Sequence, residues 1–465
     1  MEESAIAQHA LNRCVNDVIF SRLQSTLTAY AQKLGMGDDL LSVLTGAGLV
    51  MVIQIGSAAL NYVSQVLLAR WMGPIEFGVY VFAWSWAMPI AFAAAIGLAA
   101  AAVRFVPQYT IKADWGPLHG LIRRSTAVVL GAGIVVAAAG AIVLELLGEV
   151  LPEFYVVPTR LSLLCVPFLT LIVLLSGVSR GFGWVGLAFV PQMLLVPGLF
   201  IVGVGSFALL VRPPTGVPVL IIAFWTCVVV AIVHSYAFRR KVPEKVRKAE
   251  PIYYTRSWLR VAIPLFLADG VFLVLWNVDT VMLGSLMGPE DVAIYHASVK
   301  TAALTCLVFN AVASFAAPKY AALFVSKSRE EQQYFVRQIA AWTLWPTILA
   351  AIVVALAGKL VLSTFGASFV SGYAVLLVLM AGYLGRAATG PLSAYLSVSG
   401  HQDDVLYANA GAAISNVIFN ALLIPRYGVM GAAIASVLAI AFSQAWLYVV
   451  VRRRLGINGF FLGRI

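Results

Sequence analysis

Apolar residues run through this chain in stretches of about 20 to 27, separated by short polar breaks. A helix rising ~1.5 Å per residue needs about 20 such residues to cross ~30 Å of hydrocarbon, so the pattern predicts membrane-spanning helices. Twelve spans follow, near 44–69, 79–102, 122–147, 158–178, 186–210, 217–238, 260–285, 292–317, 337–362, 371–396, 404–424 and 429–451. Most connections are short and hold turn formers, such as Gly73-Pro74, Pro213-Pro214 and Gly288-Pro289. The longest polar break, from Arg239 to Arg256, divides the chain almost in half. Ahead of the first span, Val15, Ile19, Leu23, Leu27, Tyr30 and Leu34 recur at three- and four-residue steps. That spacing predicts an amphipathic helix lying on the membrane surface. The organisation is therefore a cytoplasmic amphipathic segment (1–43), a first six-helix bundle (44–240), a basic cytoplasmic linker (241–257), a second six-helix bundle (258–451) and a basic cytoplasmic tail (452–465).

Composition agrees with a lipid solvent. Of 465 residues, 61% are hydrophobic and only 11% charged, and the mean hydropathy is +0.93. Soluble domains carry about 25% charged residues, and no water-soluble core of this size hides so much apolar surface. The net charge of +11 is spread unevenly. With the N-terminus placed in the cytoplasm, cytoplasmic segments hold 24 Lys and Arg, and the opposite face holds five: Arg70, Arg160, Arg212, Lys359 and Arg426. The positive-inside rule then puts both termini in the cytoplasm. The same dispersal among loops facing anionic lipid argues against nucleic acid as a partner.

Reacting groups are scarce. The four cysteines, Cys14, Cys165, Cys227 and Cys306, form no CxxC pair, so neither a metal site nor a redox pair is predicted. No HExxH, P-loop or GxSxG occurs, nor any large polar loop of the kind a membrane glycosyltransferase uses; the chain reads as a non-enzyme. A formal GxGxxG at residues 181–186 falls between two spans, where it predicts a tight turn. His401, Asp403 and Asp404 form a small cluster, in which Asp403 or Asp404 is placed to cap the following helix.

The two halves echo each other. At a shift of 215 residues, Met72-Gly73-Pro74 falls on Met287-Gly288-Pro289, Glu76 on Asp291, Tyr80 on Tyr295 and Arg104 on Lys319. Gly216-Val217 before one span and Gly428-Val429 before another lead alike to paired arginines, Arg239-Arg240 and Arg452-Arg453. Six spans per half give parallel repeats, an arrangement in which transporters hold substrate between halves and expose it to each side in turn.

Polar groups inside spans are costly and face protein or water. Span seven holds Asp269, Asn277 and Asp279; span eight holds His296, Lys300 and Asn310; span ten holds Arg386; span one holds Asn61 and Gln65, and span five Gln192. His296 and Lys300 are four apart and share a helix face, with Asn310 about 40° away. Lys300 and Asp279 differ in depth by about one helical turn, and Asp269 and Arg386 lie at similar depths. Two acid–base pairs lining a wet cavity are predicted. Purely structural bridges between helices, and H⁺ or Na⁺ coupling through Asp269 or Asp279, stay open as alternatives. Arg104 and Lys319, at the cytoplasmic ends of their spans, either receive an anionic headgroup or snorkel to the interface.

Two motifs carry a family resemblance. Val66 through Pro74, with Glu76-Phe77-Gly78-Val79-Tyr80, resembles the first loop of bacterial polysaccharide flippases, the Wzx-type members of the MOP (MATE-like) superfamily. Ala421-Leu422-Leu423-Ile424-Pro425-Arg426-Tyr427-Gly428-Val429-Met430-Gly431-Ala432-Ala433-Ile434-Ala435 resembles their LIP-x-x-G-x-x-GAA segment, and Ser399-Gly400-His401 their small turn before span eleven. The resemblance covers about residues 41–456 and implies an all-α integral membrane fold of two pseudo-symmetric six-helix bundles. It implies a carrier that moves polyprenyl-diphosphate-linked oligosaccharide from the cytoplasmic to the outer leaflet of a bacterial cytoplasmic membrane. Its partners would be membrane lipid, that glycan and the polysaccharide polymerase machinery, with no cofactor. In the related lipid II flippases cationic residues cluster in span one; here Ser64 and Gln65 stand there, with Arg70 further along, which moves the expected phosphate site to Lys300 and Arg386. The alternatives are a cation-coupled exporter of the MATE type and a polytopic glycan polymerase or ligase.

Overall fold

In the lipid interior a backbone amide finds no water, so a helix, which satisfies its own hydrogen bonds, is the economical solution for each apolar stretch. A computed structural model of the chain describes residues 38–146, 152–211, 213–307, 309–313, 316, 319–320 and 328–457. The expected surface helix over residues 15–34 lies outside them, as do the side chains of residues 267–276. Among the described residues the regular structure is helical, with no strand.

The first half comprises α1 (Asp38–Ala94), α2 (Leu98–Lys112), α3 (Trp115–Leu146), α4 (Glu153–Gly181), α5 (Val185–Leu210) and α6 (Gly216–Lys241). A short α7 (Glu244–Lys248) lies in the linker. The second half comprises α8 (Thr255–Leu286), α9 (Pro289–Ala302), α10 (Arg329–Ser363), α11 (Ala367–Thr389), α12 (Leu392–Val398) and α13 (Gln402–Leu455). Eight helices among the described residues are long and apolar enough to cross a membrane. The protein is a multi-pass membrane protein.

Two of the eight are too long for one crossing. At ~1.5 Å per residue, the 57 residues of α1 and the 54 of α13 each exceed twice the hydrocarbon thickness. Neither is continuous: α1 breaks at Gly73 (φ 76°, ψ 171°) and α13 at Gly428 (φ 53°, ψ −131°). Both backbone conformations belong to the positive-φ region where a Cβ is strained, so the turn signals read from the sequence mark real interruptions. The GxGxxG segment is likewise a turn: α4 ends at Gly181, Gly183 takes φ 74°, and α5 begins at Val185.

Packing joins the halves unequally. One apolar core at the end carrying Gly73 and Gly288 mixes both, with Phe77, Phe82 and Tyr155 against Tyr295, Phe365 and Phe369. There Gly78 abuts Pro289, and a Cβ added to Gly78 would land on the Pro289 carbonyl. The two loops matched in the sequence repeat therefore touch. Arg70 Nε donates to the Thr364 carbonyl at 2.6 Å, and the Tyr62 and Phe365 rings meet edge to face at 5.7 Å. At the opposite end, where the linker lies, each half has its own core. Tyr320, Val336, Tyr395 and Leu447 cluster without a first-half residue. The first half's cluster takes in only Trp258 and Ala262 of α8, and Trp258 Nε1 donates to Tyr109 Oη at 3.0 Å. Among the described residues, the cleft between the halves is closed at the Gly73–Gly288 end and bridged by α8 at the linker end.

The linker itself is docked: Ile252 N–H donates to the Gly116 carbonyl at 3.0 Å, and His119 Nδ1 sits 2.7 Å from the Ala249 carbonyl. Asp404 does not cap α13 as expected; it meets Arg454 Nη2 at 3.1 Å and ties the last turn of α13 to its first. Leu209 and Leu356, 86% and 84% exposed, mark the lipid-facing surface. Each would forgo about 2 kcal/mol of burial in water, a loss that lipid removes.

Candidate functional site

The central side chains are placed by the contact of α9 with α1. His296 Nε2 lies 3.1 Å from Gln65 Oε1, and the Tyr62 and Thr301 hydroxyls meet at 3.3 Å. His296 also packs edge to face on Phe77, with centroids 5.9 Å apart. Since His296 looks across to the first half, Lys300, one helical turn on, looks the same way. It is exposed while Ala297, Ser298, Thr301 and Ala302 around it are buried. Lys300 therefore projects into the cleft between the halves, and no carboxylate pairs with it among the described residues. After Ala302 the helix tightens into a 3₁₀ turn at Ala303–Thr305, and beyond it Asn310 is again exposed.

Arg386 approaches the same span from α11. Its guanidinium carbon stands 4.3 Å from the Phe309 ring centroid, a cation–π contact. The rise from Lys300 to Phe309 is ~14 Å, which puts the two cations at successive levels, Arg386 nearer the linker end. No ion pair to Arg386 occurs among the described residues; the expected partner, Asp269, has its side chain outside them.

The expected pairing of Asp279 with Lys300 is not what forms. Asp279 Oδ2 accepts from Tyr295 Oη at 2.8 Å and from Ser436 Oγ at 2.5 Å, and Oδ1 accepts from Asn420 Nδ2 at 2.5 Å. Asn420 Nδ2 also donates to Asn416 Oδ1 at 3.1 Å. Neutral donors from α9 and α13 surround the carboxylate, so its charge is satisfied without Lys300. Asn277, two residues earlier on α8, is half-buried.

Asn61 and Gln65 line a cavity of about 90 Å³ within the first half, together with Tyr80, Trp84, Gln192 and Thr226. Asn61 Nδ2 donates to the Ser57 carbonyl at 2.9 Å. Gln192 reaches the cavity from a π-helical turn, Pro191–Leu195, inside α5. Thr226, Tyr80 and Trp84 were not singled out from sequence as polar candidates. The flanking pair Pro191 and Pro197 was the available signal for irregular backbone there.

At the linker end Arg104 lines a groove of about 520 Å³ with Arg260, Val103 and Leu265. Arg260 also belongs to an adjoining groove of about 590 Å³ with Arg256. The apolar floor and arginine rim suit a lipid carrying an anionic headgroup. Lys319 is exposed. Taken together, the arrangement offers fixed positive charge inside a cleft and at its linker end.

The sequence model of the family described as polysaccharide biosynthesis protein matches residues 43–324. No curated protein matches the chain. Among solved structures, the chain is similar to the inward-facing conformation of a multidrug resistance MATE family transporter of the MOP superfamily. That match has 16% identity, covers 87% of this chain and 98% of the other, and has a TM-score of 0.73. It is similar to the lipid II flippase MurJ in an inward closed conformation, at 15% identity, 87% coverage of both chains and a TM-score of 0.68. A MOP superfamily transporter from Pyrococcus furiosus, described as having a binding pocket of reverse polarity, matches at 16% identity over 90% of this chain and 96% of the other, with a TM-score of 0.63. At these identities the likeness shows the fold: that of the MOP superfamily transporters.

Proposed function

Since this chain belongs to the polysaccharide biosynthesis protein family, we propose that it carries a polyprenyl-diphosphate-linked oligosaccharide from the cytoplasmic to the outer leaflet of the bacterial cytoplasmic membrane. The linker end is the cytoplasmic end, because the basic residues concentrate there. The observation that carries the reading is Lys300, an exposed cation within a membrane-embedded cleft that has no carboxylate partner among the described residues.

The physical problem is the diphosphate and the sugars. Moving an ion into hydrocarbon costs many kcal/mol, and unpaired hydroxyls add to it. Fixed cations in a water-accessible cleft replace the headgroup's hydration, while the polyprenyl tail stays in lipid. Arg104 and Arg260 meet the headgroup at the cytoplasmic surface, Arg386 lies further in, and Lys300 is deepest. With the Gly73–Gly288 end closed, the carrier is poised to load from the cytoplasm. Release requires that core to part and the linker end to close, the alternating access expected of two related halves. Asp279 and its hydroxyl and amide donors are where coupling to H⁺ or Na⁺ would act, because protonation or cation binding there changes how α8, α9 and α13 hold one another. The polymerase machinery would receive the glycan on the outer side.

The reading is tested in cells deleted for this chain. Lipid-linked glycan should accumulate with its sugars inaccessible from outside, and surface polysaccharide should be lost. Normal intermediates and normal surface glycan, in a strain with no second carrier, would contradict it and favour cation-coupled export of small molecules, for which the buried Asp279 would be the residue to examine.

A further inference from the structure

The second half supplies cations, and the first half supplies something different. No charged residue lines the first-half cavity among the described residues. Its polar groups are amides and hydroxyls: Asn61, Gln65, Gln192 and Thr226. Several keep hydrogen-bonding capacity in hand. Gln65 engages His296 through Oε1, and Asn61 uses Nδ2 on its own helix, so Gln65 Nε2 and Asn61 Oδ1 make no hydrogen bond among the described residues, and both side chains line the cavity. Gln192 and Thr226 side chains have no hydrogen bond there either. One wall is aromatic: Tyr80 stacks on Trp84 at 6.2 Å and 21° and on Phe200 at 5.7 Å and 21°. Gln192 stands on a π-helical turn, a costly distortion that recurs at functional positions.

Carbohydrate needs these groups in this combination. A sugar ring presents vicinal hydroxyls, which an amide satisfies through its donor and acceptor together, and an apolar C–H face, which an aromatic ring covers. Size agrees. A water needs ~15 Å³ on this measure, so 90 Å³ accepts about six waters, the displacement of roughly one sugar ring. Position agrees as well. Tyr62 and Thr301 meet at 3.3 Å, which brings their chain neighbours Asn61 and Lys300 to within about one helical turn of each other in depth.

We infer that this first-half cavity is a subsite for one neutral sugar ring of the cargo, next to the phosphate held by Lys300. The proposal rests on the carrier reading above and divides recognition between the halves: charge in the second, uncharged sugar in the first. A neutral or N-acetylated ring fits, whereas a uronate would meet a cavity with no cation to receive its carboxylate.

The test uses the purified full chain in lipid nanodiscs and two probes: inorganic pyrophosphate, and glycan released by mild acid from the lipid-linked intermediates that accumulate without the carrier. Gln192→Leu and Asn61→Leu, on separate helices, should each weaken glycan binding by roughly tenfold and leave pyrophosphate binding unchanged. Lys300→Met should weaken pyrophosphate and spare the free glycan. Gln192→Glu, which keeps the side chain's size, should weaken the glycan as the leucine variant does, so a misfolded leucine variant does not decide the matter. Wild-type protein that binds pyrophosphate but not glycan, or glycan affinity untouched by Gln192 and Asn61 substitutions in folded protein, would overturn the subsite and leave the carrier reading standing. Failure of the wild type to bind either probe would remove both.

Discussion

Lys300 and Asp279 show how far single residues are decided by their neighbours. Sequence placed both inside spans and about one helical turn apart in depth, within reach of a lysine side chain, which made an ion pair the natural expectation. The structure instead gives Asp279 three neutral donors, two of them from Asn420 and Ser436, 141 and 157 residues away in the chain. No local spacing reveals partners at that distance, whereas the shared helix face of His296 and Lys300 was legible from the i, i+4 step alone. Lys300→Ala and Arg386→Ala should each reduce glycan translocation by roughly tenfold or more at unchanged membrane insertion, because each removes a headgroup contact worth about 1.5–3 kcal/mol. Lys300→Arg should retain part of the activity; flux equal to wild type in both alanine variants would refute the cation site. Asp279→Asn keeps the shape but replaces an acceptor oxygen with a donor against Asn420 or the two hydroxyls. Thermal unfolding in detergent should register a loss of about 1–3 kcal/mol.

At the scale of elements, breaks matter more than spans. The Gly73 and Gly428 interruptions could be read from Gly-Pro and Pro-x-x-Gly signals, and both hold the backbone in conformations that glycine favours. The π-turn of α5 leaves the apolar pattern nearly unchanged, because it differs from an α-helix by only about one residue per turn, and Pro191 and Pro197 were its one sequence signal. The contact of Gly78 with Pro289 also escapes sequence reading, although the repeat of Met-Gly-Pro pointed to the two loops involved. Its consequence is testable. A double variant, Arg70→Cys with Thr364→Cys, places thiols at the two ends of the span that the Arg70 side chain now bridges to the Thr364 carbonyl, and a short bifunctional methanethiosulfonate reagent, which covers the reach of an arginine, should link them readily. Adding Gly78→Ala should slow that cross-link markedly, because the new methyl forces the loops apart. An unchanged cross-linking rate would mean that Gly78 does not hold the ends together.

For the whole molecule, the shared core at one end and the separate cores at the other describe two halves joined at the Gly73–Gly288 end, the arrangement the proposed carrier needs when it loads from the opposite side. The all-helical membrane class and the relation between halves were written in hydropathy and in the 215-residue echo. Which end is closed was not, since the charge asymmetry orients the ends without saying where the halves meet, and only the packing of Phe77, Tyr295 and Phe369 shows that. The same introduced cross-link, between positions 70 and 364, should therefore arrest transport and release it on reduction; transport through the cross-linked protein would show that the halves need not part at that end.

The most direct measurement of the central claim is translocation itself. Proteoliposomes containing the purified chain are loaded in one leaflet with the lipid-linked glycan accumulated by cells lacking it, and its exposure to an impermeant glycan-cleaving enzyme is followed with time. The account predicts that the glycan becomes accessible with wild-type protein and remains protected with Lys300→Ala and in protein-free vesicles. Protection that persists with active, correctly folded wild-type protein, under both proton and sodium gradients, would contradict it.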